Sequence, residues 1–274
     1  MVVLEKHEPA SQLRLVQLEF SQATAYTEGY GVNAPKSHFF NTRLRRVGEL
    51  LGDLEAGRVL DVGCGPAMVG RLFLDRPIQY FGVDASEEML RECVKTFGGH
   101  PQFHFSLGRI EKLSFPDSHF EVVLCLGAFE YLLDGKAGMK EIARVAKDNG
   151  IVIVSMHNPH SPYRLGLHYG YDRLRNAWNR IGRLRERRGN RGEEKHQRPA
   201  FAVYTEKAMR RLFSSAGLQV EDVVYYDFNL LLPPLNSLFP NASLWVRRNL
   251  EFLCRGRLKL LGYGYLMRGR KMVG

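Results

Sequence analysis

The chain has 274 residues and a formal net charge of +10 at pH 7, and 45% of its residues are apolar. This length suits one large domain, or one domain with a substantial insertion, and the apolar fraction excludes a disordered chain. We expect no membrane span because no apolar run is long enough, and the acids and proline in residues 1–10 argue against a signal peptide.

The positive charge is concentrated in two later segments. Residues 164–211 contain 14 Lys/Arg against 5 Asp/Glu, and residues 245–274 contain 8 against 1. We expect these segments either to face an anionic partner or simply to be solvated. The four cysteines have neither paired nor metal-ligand spacing, which predicts a reduced, cytoplasmic protein without a structural metal.

Two helices are predicted before the first strand, over residues 11–28 and 36–54. The second places Phe39, Leu44, Val47, Leu50 and Leu51 near helical spacing. A glycine-containing loop separates the two helices and carries two tyrosines, Tyr26 and Tyr30.

The central motif is an apolar strand, Val59–Val62, that runs into Gly63 and Gly65. Glycines at this point allow a tight turn and let a ligand lie against bare backbone. A dinucleotide-binding turn would need a third glycine where Met68 stands, and an acid at Asp61 would repel its pyrophosphate. A ligand with a cationic amine and a sulfonium would be favoured by that acid, which points to S-adenosylmethionine rather than NAD.

Strands and helices then alternate. Asp84 ends a second apolar run nineteen residues after Gly65, where a carboxylate accepts hydrogen bonds from ribose hydroxyls. Predicted strands follow at residues 80–83, 103–107, 122–126, 151–155, 219–226 and 260–267. Helices are predicted to open at Pro66, after an N-cap at Ser86, after Asp134 and after an N-cap at Thr205. This alternation predicts an α/β fold with a parallel sheet covered on both faces.

Residues 157–199 interrupt this pattern with a basic insertion. Residues 173–188 form a predicted helix whose apolar stripe includes Trp178 and whose other faces carry arginines. Residues 189–198 are polar and contain glycine. We expect this insertion to be a lid over an acceptor. A second predicted helix, residues 242–254, would place Trp245 and Phe252 on one side and Arg247 and Glu251 on the other.

Residues 58–156 resemble the class I S-adenosylmethionine-dependent methyltransferases. The resemblance rests on residues 59–65, 82–85, 113–123 and 143–154, in the order and spacing of that family. It implies a Rossmann-like sheet of seven mostly parallel strands, with N-terminal helices and a helical lid inserted after strand five. The implied domains are a helical cap at 1–56, a cofactor-binding core at 57–156, the lid at 157–204, and a C-terminal completion of the sheet at 205–274.

The resemblance also implies which residues bind S-adenosylmethionine. Tyr30 would belong to a leading segment that closes over the ligands, although a tyrosine packed on the core fits the residues equally well. The other implied cofactor residues are Asp61, Gly63, Gly65, Asp84, Ala85, Ile110 and Leu126. The family commonly has an acid before the residue at Ile110, to contact the adenine amine, and here Arg109 stands in its place.

His157 and Glu130 are the candidate catalytic residues, because each follows a strand whose carboxyl end faces the ligand crevice. His157 would take a proton from an acceptor that holds one, and the alternative is a histidine that only anchors the root of the insertion. The predicted function is methyl transfer to a small-molecule or lipid-like acceptor, anionic or aromatic, with peripheral contact to an anionic membrane. An RNA methyltransferase and a non-catalytic S-adenosylmethionine-binding protein are the alternatives.

Overall fold

The computed structural model describes residues 9–19, 35–166, 199, 201–232 and 235–273. The α-helices in these residues are α1 (Pro9–Glu19), α2 (Pro35–Leu51), α3 (Glu87–Phe97), α4 (Gly135–Val145), α5 (Pro162–Leu165), α6 (Glu206–Ser215), α7 (Leu235–Leu238) and α8 (Pro240–Asn249). The strands are β1 (Gly57–Val62), β2 (Ile78–Asp84), β3 (Phe103–Leu107), β4 (Phe120–Cys125), β5 (Ala146–His157), β6 (Leu218–Tyr226) and β7 (Gly264–Lys271). Short 3-10 helices cover Met68–Phe73, Phe129–Tyr131, Glu251–Arg255 and Lys259–Leu261.

The seven strands form one sheet in the order β3-β2-β1-β4-β5-β7-β6. The pairs from β3 to β5 are parallel, and β7 runs antiparallel to both β5 and β6. The predicted Rossmann-like sheet of seven mostly parallel strands is therefore confirmed. The carboxyl ends of β1, β2, β4 and β5 meet at one edge, which is where ligands bind in such sheets.

Two of the predicted N-caps are present and begin helices that pack on the sheet. The Ser86 hydroxyl accepts a hydrogen bond from the Met89 amide at 3.4 Å, and Glu87 and Glu88 lie in the first turn of α3. The Thr205 hydroxyl accepts from the Ala208 amide at the start of α6. These side chains satisfy amides that have no partner within the helix, so each helix begins at a defined residue.

The helix predicted to open at Pro66 is wrong in type and position. The Ala67 amide donates to the Cys64 carbonyl at 2.9 Å, and Ala67 has a φ of 54°, which closes a turn instead of starting an α-helix. A 3-10 helix follows from Met68. The tight turn keeps backbone amides at the edge of the sheet rather than inside a helix.

The bounds of β5 and β7 also differ from the prediction. Helix α4 ends at Val145 rather than at Asn149, and β5 begins at Ala146 because that residue pairs with Phe120 ahead of an irregularity in the register. Strand β7 begins at Gly264 rather than at Leu260. The Leu260 and Gly262 carbonyls both accept hydrogen bonds from the Asn158 side chain, at 2.7 and 2.8 Å, which commits that backbone to a turn.

The orientation predicted for residues 242–254 is wrong. The inward side of this segment carries Arg247 and Glu251, which are only 5% and 6% exposed, whereas Trp245 and Phe252 point outward. Arg247 donates two hydrogen bonds to the Asp227 carboxylate, at 2.6 and 2.7 Å. Glu251 in turn accepts from the Asp227 amide at 2.9 Å and from Arg46 at 3.1 Å. Buried, paired charges thus decide which side faces the protein, against the apolar pattern.

The predicted lid helix at residues 173–188 and the loop at residues 189–198 lie outside the described residues. In the described ranges, no helix combines the length and the apolar character that crossing a membrane requires.

We expect Asp227→Asn to lower the free energy of unfolding by about 3–5 kcal/mol, because it leaves Arg247 buried without its charged partner. Asparagine is suitable because Asp227 has a φ of 61°, a left-handed conformation that asparagine tolerates. Asp222→Asn on β6, the strand that ends just before Asp227, is the control, since its pair with Arg255 is at the surface and contributes at most about 1 kcal/mol. Equal losses in the two variants, measured by chemical denaturation, would contradict the assignment.

Candidate functional site

A pocket of about 390 Å³ opens at the carboxyl ends of β1, β2 and β4. Seven of the eight cofactor residues predicted from the sequence line it: Asp61, Gly63, Gly65, Asp84, Ala85, Ile110 and Leu126. The eighth, Tyr30, lies outside the described residues. The structure thus brings together residues that are up to 65 positions apart in the chain.

The glycine turn after β1 forms the floor of the pocket. Gly63 and Gly65 have φ values of 69° and 53°, and a Cβ on Gly63 would lie 2.3 Å from the Cβ of Ala128. The Gly63 and Cys64 amides both donate to the Val83 carbonyl, at 2.7 and 3.0 Å, which ties the turn to β2. A ligand in the pocket therefore contacts the glycine backbone directly, and a side chain at Gly63 would clash with Ala128.

Asp84 holds two of the loops around the pocket in place. One carboxylate oxygen accepts the Gly65 amide at 2.8 Å, and the other accepts the Ser86 amide at 2.9 Å. Burial raises the pKa of Asp84, and these amide hydrogen bonds oppose that rise. Each carboxylate oxygen has a second lone pair, so the group can also accept from the two hydroxyls of a ribose.

Asp61 carries a polar atom that the described part of the chain leaves without a partner. Its Oδ2 accepts a hydrogen bond from the Tyr80 hydroxyl at 2.6 Å, whereas its Oδ1 is buried and has no hydrogen bond in those residues. Burial raises the pKa of Asp61 to about 7. Because Asp61 lines the pocket, a ligand ammonium group would satisfy Oδ1 and favour the ionised carboxylate.

Arg43 on α2 is a pocket residue that the sequence reasoning missed. It is 6% exposed, and its guanidinium lies 5.5 and 5.4 Å from the ring centres of Phe39 and Phe40. A Cβ on Gly127, which has a φ of 81°, would approach this guanidinium to 2.7 Å. The signal was present in the sequence, because Arg43 follows Phe39 by four residues and so lies on the apolar side of the helix.

Arg43 and Asp61 place opposite charges in one pocket, and the positive charge of Arg43 opposes the rise in the pKa of Asp61. The amino-acid part of S-adenosylmethionine carries an ammonium and a carboxylate, which match this pair of charges. The residues of the pocket therefore fit that cofactor by their shape at the glycine turn and by their charge.

Helix α1 forms a further wall of the pocket that sequence reasoning missed. Gln12, Leu13 and Val16 line the pocket, and Gln12 donates to the Tyr131 carbonyl at 3.0 Å. Gln17 donates to the Ala85 carbonyl at 2.8 Å. No local pattern marks these residues, because their partners are 119 and 68 positions away.

The far end of the pocket contains Ile110, which is buried, between Arg109 and Glu111. The Arg109 guanidinium lies 3.3 Å from the Glu111 carboxylate, and both residues line the pocket. Arginine cannot accept a hydrogen bond from an adenine amine, but the neighbouring glutamate can.

The two candidate catalytic residues form a pair beside this pocket. His157 Nδ1 lies 2.9 Å from Glu130 Oε1, and Glu130 is 1% exposed. The Phe39, Phe201 and Tyr263 rings surround the imidazole, with ring centres 6.1, 5.3 and 5.3 Å away. His157 does not itself line the pocket, but its ring stacks on Phe39, and Phe40 and Arg43 on the same helix do line it.

Within the described ranges, no group of three or more His, Cys, Asp or Glu side chains is arranged to hold a metal ion. The four cysteines are buried free thiols.

Comparison with known proteins places this pocket in a familiar domain. Residues 60–154 match a family described as a methyltransferase domain. The chain is 33% identical over 109 residues to the uncharacterized methyltransferase YcgJ of Bacillus subtilis. The matched part is 38% of this chain and 43% of YcgJ. It is 30% identical over 118 residues to a ubiquinone biosynthesis O-methyltransferase of Alkalilimnicola ehrlichii, covering 42% and 46% of the two chains. The matched part is thus less than half the length of either relative.

A similar fold occurs in a protein whose structure was solved in complex with the Haloferax volcanii Trm112 methyltransferase activator. The TM-score is 0.63 at 21% sequence identity, and the superposition covers 94% of this chain and 98% of the other. At this identity the likeness concerns the fold alone.

We expect Asp84→Ala to weaken S-adenosylhomocysteine binding by about 1.5–3 kcal/mol, the range for hydrogen bonds to a charged group. Titration calorimetry measures this change, and thermal unfolding checks that the variant is folded. Asp75→Ala, an exposed acid before β2, is the matched control. Unchanged affinity in a folded Asp84→Ala variant would remove Asp84 from the site.

The raised pKa of Asp61 predicts that the affinity for S-adenosylhomocysteine depends on pH. Below pH 7 the free protein carries a neutral Asp61, which must lose its proton to bind an ammonium. Affinity should therefore fall by up to about tenfold for each pH unit below 7, and should level off above it. Asp61→Asn should bind more weakly at pH 8 and show a flatter profile. A wild-type affinity that stays constant between pH 6 and 8 would contradict this role.

Proposed function

We propose that this chain, whose residues 60–154 match a methyltransferase domain, transfers the methyl group of S-adenosylmethionine to a small-molecule or lipid-like acceptor. The observation that carries the proposal is the buried oxygen of Asp61, which has no hydrogen bond within the described part of the chain, in a pocket that also contains Arg43 and the Asp84 carboxylate. These groups suit the ammonium, the carboxylate and the ribose of one ligand.

The residues of the pocket would hold the cofactor along its length. Asp61 would bind the ammonium and Arg43 the carboxylate, while Asp84 would accept hydrogen bonds from the ribose. Ile110 would pack on the adenine, and Glu111 offers an acceptor for the adenine amine. The bound cofactor supplies a methyl group on a sulfonium, and transfer is an in-line displacement in which alignment is the main task of the protein.

The side of the site near His157 favours an aromatic or anionic acceptor. The Phe39, Phe201 and Tyr263 rings provide flat apolar surfaces around the imidazole. Arg43 lies over Phe39, and Arg164 lies 5.5 Å from the centre of the Phe201 ring, so two cations accompany these rings. A planar acceptor with negative charge would be stabilised by both features.

His157 would act as the general base for an acceptor that holds its proton, such as an alcohol or a phenol. The Glu130 carboxylate would accept a hydrogen bond from the Nδ1–H group and so orient the ring. This leaves Nε2 to take the proton from the acceptor. This arrangement follows the logic of a carboxylate that positions a catalytic histidine. The relative named for O-methylation in ubiquinone biosynthesis supports an oxygen acceptor.

Two alternatives remain open to direct test. An RNA methyltransferase would bind RNA with an affinity that falls steeply as salt increases. A non-catalytic protein would bind the cofactor and never form S-adenosylhomocysteine. The lid predicted at residues 173–188 stays a proposal, which protease protection of residues 189–198 by cofactor and acceptor together would support.

The deciding experiment is S-adenosylhomocysteine formation with a panel of phenolic, carboxylic and lipid acceptors. His157→Ala should lower turnover of a hydroxyl acceptor by roughly 10²–10⁴-fold while the affinity for S-adenosylhomocysteine stays the same. His160→Ala is the matched control, because His160 is an exposed histidine only three residues away. A loss of only a few-fold would show that His157 has no role as a base.

Glu130→Gln separates a positioning role from a structural one. It keeps the size of the side chain but removes the negative charge that faces His157, so turnover should fall while the KM for the acceptor changes little. If KM rises and turnover is unchanged, Glu130 serves acceptor binding rather than the proton transfer.

A further inference from the structure

The segment that follows β6 exposes large apolar side chains on its outer side. Trp245 is 66% exposed and Phe252 is 76% exposed, and Leu238 and Phe239 just before them are 66% and 56% exposed. Arg248 and Arg257 are also exposed. We call Leu238, Phe239, Trp245, Arg248, Phe252 and Arg257 the aromatic–arginine face.

Contacts on the opposite side of the segment determine this orientation. Arg247 is held by Asp227 in a buried pair, and Glu251 is held by Arg46 and by the Asp227 amide. Ser243 on the same side is also buried. Rotating the segment to bury Trp245 and Phe252 would expose or unpair these charges, so the outward position of the aromatic residues is built into the fold.

The charge of the face has one sign. Residues 235–262 contain a single acid, Glu251, and it points inward and is 6% exposed. The exposed charges of this stretch are Arg248, Arg255 and Arg257, and of these Arg255 is paired with Asp222 on β6 at 2.8 Å. Exposed Trp and Phe interleaved with arginine is the composition of a segment that lies in the interface of a membrane.

The face also adjoins the acceptor side of the site. Leu260 and Gly262, which follow it, accept hydrogen bonds from Asn158, the residue after His157. The Tyr263 ring then packs against the imidazole of His157, with ring centres 5.3 Å apart. A surface bound at this face would therefore lie close to the place where an acceptor meets the methyl group.

We propose that the aromatic–arginine face docks on the surface of an anionic lipid bilayer. The aromatic and leucine side chains enter the boundary between headgroups and acyl chains, and the arginines bind lipid phosphates. A second copy of this chain fits the face less well, because a two-fold contact places identical patches opposite each other and brings arginines together. The docking does not depend on methyl transfer, so its test is independent of the proposed activity.

Vesicle flotation tests the proposal with phosphatidylcholine vesicles that contain or lack phosphatidylglycerol. We expect binding to the anionic vesicles, weakened by added salt. Trp245→Ser/Phe252→Ser should weaken binding by about tenfold or more, because two large apolar groups no longer leave water. Arg248→Gln/Arg257→Gln should weaken it by about fivefold for each arginine. Val94→Ser, which alters an exposed valine on α3, should leave it unchanged.

Tryptophan fluorescence reports the contact directly. The chain has two tryptophans, so Trp178→Phe leaves Trp245 as the only tryptophan, and its emission should shift to shorter wavelength with anionic vesicles.

Absence of binding to either vesicle type would overturn the proposal. So would binding that the four face substitutions leave unchanged, or a dimer in light scattering that Trp245→Ser/Phe252→Ser dissolves while vesicles do not bind.

Discussion

The Asp84 carboxylate joins the two turns on which the cofactor pocket depends. Its oxygens accept the Gly65 amide from the first turn and the Ser86 amide from the second, so β1 and β2 end in a fixed relation. The Val83 carbonyl adds a second connection through the Gly63 and Cys64 amides. Because a parallel sheet aligns the ends of its strands, this small set of hydrogen bonds orients the floor and one wall of the pocket together.

Buried charge is used in two different ways at this edge of the sheet. The Arg247–Asp227 pair is complete, with two short hydrogen bonds, and it fixes the segment after β6. The hydrogen bonding of Asp61 is incomplete, since within the described residues one of its oxygens has no hydrogen bond. The completed pair stabilises the architecture, whereas the Asp61 oxygen without a partner in those residues can be satisfied by a cationic ligand.

Ring contacts and hydrogen bonds connect the acceptor side of the site to the segment that carries the aromatic–arginine face. Phe39 connects the helix that carries Arg43 to the His157 ring, and Tyr263 connects that ring to the turn held by Asn158. A lipid-like acceptor would enter such a site from a bilayer more readily than from water. The proposed function and the proposed docking surface therefore describe compatible chemistry, although each rests on its own observations.

The succession of strands along the chain, the glycine turn and the acids Asp61 and Asp84 could be predicted from the sequence, because apolar runs, glycine spacing and strand-end acids are local signals. The resemblance to the methyltransferases implied the other pocket residues, Ala85, Ile110 and Leu126. The pairing of Glu130 with His157 and the hydrogen bonds from α1 to the pocket could not be predicted from local signals, since each joins residues distant in the chain. The apolar pattern even predicted the wrong side for Trp245 and Phe252. Only the tertiary structure decided that orientation, because turning the two aromatic rings inward would separate Arg247 from Asp227, and a buried charge left without its partner costs about 3–5 kcal/mol.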